Sequence, residues 1–137
     1  QRRGKLPEAE QFLRRAMSIL EGRLGDQHPD VARSFNNLGL FLHGQGQLAE
    51  AEELYRRALT IWDQSLGPEH PAIAYVLCNL GLLLEGQHRR TEAASLYQRA
   101  LAIREKGLPA DHPLIERTRQ RLQQVTLAGP WRELSSD

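Results

Sequence analysis

"HPDVARSFNNLG", residues 28–39, returns as "HPAIAYVLCNLG", residues 70–81, and the pair His-Pro opens a third copy at His112. Each start lies 42 residues after the one before. A fixed stride of this size marks an array of like structural units, and it decides the fold before any single residue does. The segments between the copies repeat as well. "GKLPEAEQFLRRAMSIL" from Gly4, "GQLAEAEELYRRALTIW" from Gly46 and "HRRTEAASLYQRALAIR" from His88 align without a gap. The unit therefore has two elements, and the chain shows them in the order second, first, second, first, second, first.

Both elements read as helices. Ala51, Leu54, Tyr55, Ala58, Leu59 and Trp62 fall at spacings of three and four, as do Val31, Phe35, Leu38, Gly39 and Leu42. Such spacings put the apolar residues on one helical stripe. Pro29, Pro71 and Pro113 stand where a first-turn proline is tolerated, and Gly25 and Gly67 suit helix ends. Gly44, Gly46 and Gly86 mark the turn inside each pair. The expected fold is all-α, a right-handed helical-repeat solenoid of antiparallel helix pairs with about six helices. The array covers residues 1–128, with an incomplete unit at 1–27, full units at 28–69 and 70–111, and a capping helix at 112–128. Arg119 and Gln123 stand where the earlier copies carry apolar or small residues, which gives that last helix a polar outer face. Residues 129–137, "GPWRELSSD", carry no repeat pattern and read as a flexible tail. The chain opens in the middle of a repeat, so it reads as a section of a longer protein.

"NNLGLFLHGQGQLAEAEELYRRAL" (residues 36–59) and "CNLGLLLEGQHRRTEAASLYQRAL" (residues 78–101) resemble tetratricopeptide repeats. The family pattern of Leu-Gly, then Ala, aromatic and Ala, is met by Leu38, Gly39, Ala51, Tyr55 and Ala58, and again by Leu80, Gly81, Ala93, Tyr97 and Ala100. The usual unit has about 34 residues; a 42-residue stride with His-Pro between units resembles the kinesin light chain variety. In this reading the small residues allow close helix approach, and Tyr55 and Tyr97 fill the space between units.

Composition narrows the function. Eighteen Lys and Arg face seventeen Asp and Glu, a net charge of +1. That balance argues against a nucleic-acid or membrane-surface protein. The longest mostly apolar stretch, residues 72–84, falls short of the roughly 20 residues a membrane span needs. A single cysteine, Cys78, and the absence of an apolar signal core point to a reducing, cytoplasmic setting. Three equivalent histidines stand two helix packings of about 8–10 Å apart each. They cannot share one metal ion, so His28, His70 and His112 read as helix punctuation rather than ligands. His43 and His88 receive no role. No phosphate loop, paired-cysteine motif or nucleophile elbow is present, so no enzyme activity, catalytic residue, metal or cofactor is expected. Cys78, within a helix and without a motif, reads as inert; Trp62 and Trp131 read as packing or tail residues.

The remaining place for function is the exposed stripe of each first helix, on the concave side of the stack. It comprises Arg33, Asn36, Asn37 and Leu40, then Tyr75, Cys78, Asn79 and Leu82, then Arg117, Gln120, Arg121 and Gln124. An amide side chain can pair with any peptide unit, and arginine binds carboxylates. The resemblance implies that this stripe holds an extended peptide, with Asn37 and Asn79 matching the asparagine that bonds its backbone. It also implies an acidic partner with an apolar anchor. The expected function is a protein–protein interaction module, an adaptor or scaffold within a larger protein. The alternative is an architectural spacer or weakly self-associating section of a longer solenoid, with Phe12, Leu13 and Met17 exposed on the leading helix.

Overall fold

The computed structural model describes the backbone of residues 2–135 and the side chains of residues 7–126. Six helices and no strand occur among the described residues: α1 (Arg2–Leu24), α2 (Pro29–Gly44), α3 (Leu48–Ser65), α4 (Pro71–Gly86), α5 (Arg90–Gly107) and α6 (Pro113–Ser135). The chain divides into two compact units, residues 1–68 and 69–137. In the first, α2 packs against α1 and α3; in the second, α5 packs against α4 and α6. The all-α repeat read from the stripes is present. α6 continues to Ser135, through residues 129–135 where the sequence suggested a tail. The side chain of Trp131 lies outside the described residues.

The recurring histidine is a helix cap. His28, His70 and His112 each accept a hydrogen bond at Nδ1 from the backbone N–H two residues on, of Asp30 at 3.0 Å, Ala72 at 3.1 Å and Leu114 at 3.1 Å. Proline follows at once, so the first helical position has no N–H to satisfy and the imidazole serves the second. The same short motif thus starts α2, α4 and α6.

Within each helix pair the apolar stripes close on one another. Val31, Ala32, Phe35, Leu38 and Leu42 of α2 are buried with Ala51, Leu54, Tyr55, Ala58 and Ile61 of α3. Ile73, Ala74, Leu77, Leu80 and Leu84 of α4 are buried in the same way, as are Ala93, Tyr97, Ala100 and Ile103 of α5. Each tyrosine has its ring on the glycine of the partner helix inside its own pair. A Cβ placed on Gly39 would stand 2.8 Å from Tyr55 Cε1, and one on Gly81 would stand 2.7 Å from Tyr97 Cε1. The glycine therefore makes room for an aromatic ring.

Each buried phenol reaches a polar group at the same repeat position. The Tyr97 hydroxyl donates to Glu85 Oε1 at 2.9 Å, and the Tyr55 hydroxyl lies 3.4 Å from Nδ1 of His43. His43, given no role from sequence, is the register counterpart of Glu85. A further departure is at the turns. Gly46 has φ +80°, a left-handed conformation suited to glycine, and its counterpart His88 adopts φ +64° despite its side chain.

Candidate functional site

The exposed stripes are built by the same helices whose opposite faces form the core. On α2, Arg33, Asn37 and Leu40 are exposed, Leu40 by 45 %. Asn36 is not; it is buried, at 9 % exposure. It stands one turn from Ala32 and Gly39 and follows them inward, because positions three and four apart share a face. Asn36 is therefore not part of the exposed stripe. Arg33 is also less available than its charge suggests, since its Nη2 pairs with Asp30 Oδ1 at 2.8 Å.

The residues 69–137 unit is richer. Tyr75, Cys78 and Asn79 of α4 face Leu114, Arg117, Thr118 and Arg121 of α6 across an opening of about 140 Å³. Tyr75 is 53 % exposed, Arg117 is exposed, and Asn79, Leu82 and Arg121 are half-buried. Arg104 of α5 forms the floor between the two walls. The structure thus brings Tyr75, Asn79, Arg117 and Arg121 together around one opening. Leu82 lies farther along α4 and does not line it. In α6, Gln123 is exposed, and the half-buried Arg119 pairs with Glu105 at 3.2 Å and Glu116 at 3.1 Å.

Arg104 was missed by the sequence reading. It is 6 % exposed, and its Nη1 donates to Thr118 Oγ1 at 2.7 Å and to Cys78 Sγ at 3.4 Å. Its guanidinium carbon stands 5.2 Å from the centre of the Tyr75 ring. No acidic group lines the opening, and no carboxylate pairs with Arg104, Arg117 or Arg121 among the described residues. The available signal was register: Arg104 occupies the position of Trp62 in the preceding unit. Trp62 is buried too, but its Nε1 donates to the Pro29 carbonyl at 2.9 Å, an ordinary packing role. A charge in that place stands out.

Cys78 is half-buried and free. Burial pushes its thiol up, opposed by the nearby positive charges of Arg104 and Arg121. A thiol held protonated is a poor nucleophile. A larger cavity of about 500 Å³ lies along α3, lined by Asp26, Glu52, Arg56 and Arg57 among others. There Arg56 pairs with Glu52 at 2.9 Å, and Arg57 pairs with Glu21 at 3.7 Å. Among the described residues no three His, Cys, Asp or Glu side chains are placed to hold a metal ion. No helix there is long and apolar enough to cross a membrane.

Known proteins resemble this chain chiefly in fold. Tetratricopeptide repeat family models match residues 30–106 and, separately, residues 1–30. Among solved structures, BtubC (BKLC) from P. vanneervenii aligns at 25 % identity and a TM-score of 0.83, over 97 % of this chain and 54 % of its own. The Q17M form of nearly identical TPR-like repeats of kinesin light chain type from Podosopora anserina aligns at 26 % identity and a TM-score of 0.83, over 95 % of this chain and 61 % of its own. This chain therefore spans little more than half the length of these relatives. No curated protein matches it. The match across both complete helix pairs, with the 42-residue stride, means that the chain belongs to the tetratricopeptide repeat family in its kinesin light chain-like form.

Proposed function

We propose that this chain is a peptide-binding module, an adaptor or scaffold section that takes an extended acidic segment of a protein partner carrying one bulky apolar side chain. Repeats of this family mediate protein–protein interaction and are not, as a rule, catalysts. The observation that carries the finer reading is the opening between α4 and α6, where three arginines gather without one acidic group. Arg117 and Arg121 are one turn apart on α6 and reach the same ligand. Asn79 supplies an amide for a peptide backbone, and the exposed Tyr75 ring offers apolar area to the anchor. The stripe of Arg33, Asn37 and Leu40 on α2 offers the same kinds of group. Such binding belongs in a reducing compartment, the cytoplasm, where a free cysteine beside the site stays reduced.

Titration of an unbiased fluorescent peptide library tests the reading. Acidic peptides are expected to be selected, more weakly as salt rises, and Arg117→Glu/Arg121→Glu is expected to abolish the selection with helix content unchanged. Selection of basic peptides, or indifference to the double reversal, refutes it. The spacer alternative rests on a different observation: Phe12 is 71 % and Ile19 51 % exposed on α1. Concentration-dependent light scattering that vanishes in Phe12→Ser, together with no peptide selection, favours that alternative.

A further inference from the structure

We infer that the Arg104–Arg117–Arg121 opening is a phosphate-monoester subsite, which takes a phosphorylated serine or threonine side chain of the bound peptide. The inference rests on the peptide-binding reading above and narrows its ligand. Arg104 carries the argument. A buried guanidinium without a carboxylate costs stability that an apolar residue does not, and the equivalent position one unit earlier is apolar. Among the described residues the hydrogen bonds of Arg104 run from Nη1, to Thr118 and Cys78. No fully buried side-chain nitrogen or oxygen among the described residues lacks a partner. Arg104 lines the opening, and its remaining N–H groups are the donors it can offer there.

The neighbours limit what can enter. The Thr118 hydroxyl donates to the Leu114 carbonyl at 2.6 Å while accepting from Arg104, so its proton is committed. The donors left for a ligand are guanidinium forks. Three guanidiniums carry three positive charges around about 140 Å³, room for one headgroup rather than a length of chain. A carboxylate offsets one of those charges and offers two oxygens. A phosphate monoester brings a charge of about −1.5 to −2 and three strong acceptor oxygens, one for each fork. Tyr75 at the rim, already stacked near Arg104, then receives the residue beside the phosphorylated one.

The test compares three peptide libraries, identical but for a central phosphoserine, glutamate or serine, binding to the intact chain. Selected members are then measured by fluorescence anisotropy. Phosphoserine is expected to bind about tenfold tighter than glutamate in the same flanks, the worth of one further charge-assisted bond. Inorganic phosphate is expected to compete for the phosphoserine peptide. Arg104→Lys keeps the charge and loses the fork, so it should erase the phosphoserine preference while acidic peptides still bind. Should that variant fail to fold, Arg117→Gln, at an exposed position, is expected to lower the preference severalfold by itself. Equal affinity for phosphoserine and glutamate overturns the subsite and leaves acidic-peptide binding intact; no binding of either overturns both. Displacement of the phosphopeptide by phosphatidylinositol phosphate vesicles, with no discrimination among free peptides, assigns the opening to a lipid headgroup and overturns the inference.

Discussion

Gly81→Ala is the sharpest test of how each helix pair is held together. The new methyl would meet Tyr97 Cε1 at 2.7 Å and Cζ at 2.9 Å, well inside van der Waals contact. The ring has little freedom to retreat: Tyr97 is fully buried and its hydroxyl is tied to Glu85. Overpacking of this kind costs about 1–3 kcal/mol. Against it stands the helix preference of alanine over glycine, up to about 1 kcal/mol. Gly22 of α1 separates the two effects, because a Cβ there meets nothing within 4 Å. Gly22→Ala should therefore stabilise, Gly81→Ala should destabilise or break even, and the two should differ by about 1–3 kcal/mol in urea unfolding. Adding Tyr97→Leu to Gly81→Ala should recover much of the penalty, giving a coupling of like size in a double-mutant cycle. Gly39→Ala against Tyr55 repeats the experiment in the other unit. If Gly81→Ala proves as stabilising as Gly22→Ala, or the cycle shows no coupling, the ring-on-glycine account is wrong.

The caps, the phenols and the buried arginine each carry their own expectation. His70→Ala should lower the urea midpoint by the equivalent of about 1 kcal/mol while His70→Asp stays within a few tenths, since aspartate caps as well; equal losses would remove the capping role. Burial pushes the Tyr55 phenol up to about 12 and raises Tyr97 further, with help from Glu85. An unfolded phenol ionises near 10, so the stability from these two groups is complete below about pH 10 and falls as pH rises through 12. Unfolding midpoints followed from pH 9 to 12 should show that fall, and Tyr55→Phe/Tyr97→Phe should flatten it. Arg104→Met should leave thermal stability unchanged or raise it by about 1 kcal/mol or more, and a marked loss would mean that the guanidinium is there for packing.

Much of this architecture was legible because repetition supplies its own controls. The stripes of α2 to α5, the His-Pro starts and the turns follow from spacing alone, and the helices lie where the spacing put them. What spacing does not fix is the neighbour. "Leu-Gly" and "Tyr" in alternate helices show that something small meets something large. Whether they meet within a pair or between units depends on helix rotation, and the tyrosines lie within. Asn36 failed for a related reason. It sits at the border of a stripe, and a modest rotation of α2 decides which side of the border is wet. His43 and Glu85 share a register, but two residues so unlike give no hint that both serve a phenol.

Function is read from the departures, since whatever packing alone requires tends to recur at the same place in each unit. Leu38 and Leu80, Gly39 and Gly81, and Tyr55 and Tyr97 recur because the helix pair needs them. The step from Trp62 to Arg104 breaks that rule at a buried position, exchanging an indole that bonds a carbonyl for a charge with no acid beside it. Packing offers no reason for the change, because an apolar side chain serves the same place in the other unit. Arg104 is joined by Arg117 and Arg121 of α6, which stand where α4 carries Tyr75 and Asn79 and α2 carries Arg33 and Asn37. Three guanidiniums around one small opening, with no carboxylate paired to them among the described residues, repel one another and weaken the unit unless an anion joins them. The anion-binding reading therefore rests on Arg104 and Arg121, which have no cationic counterpart in the preceding unit.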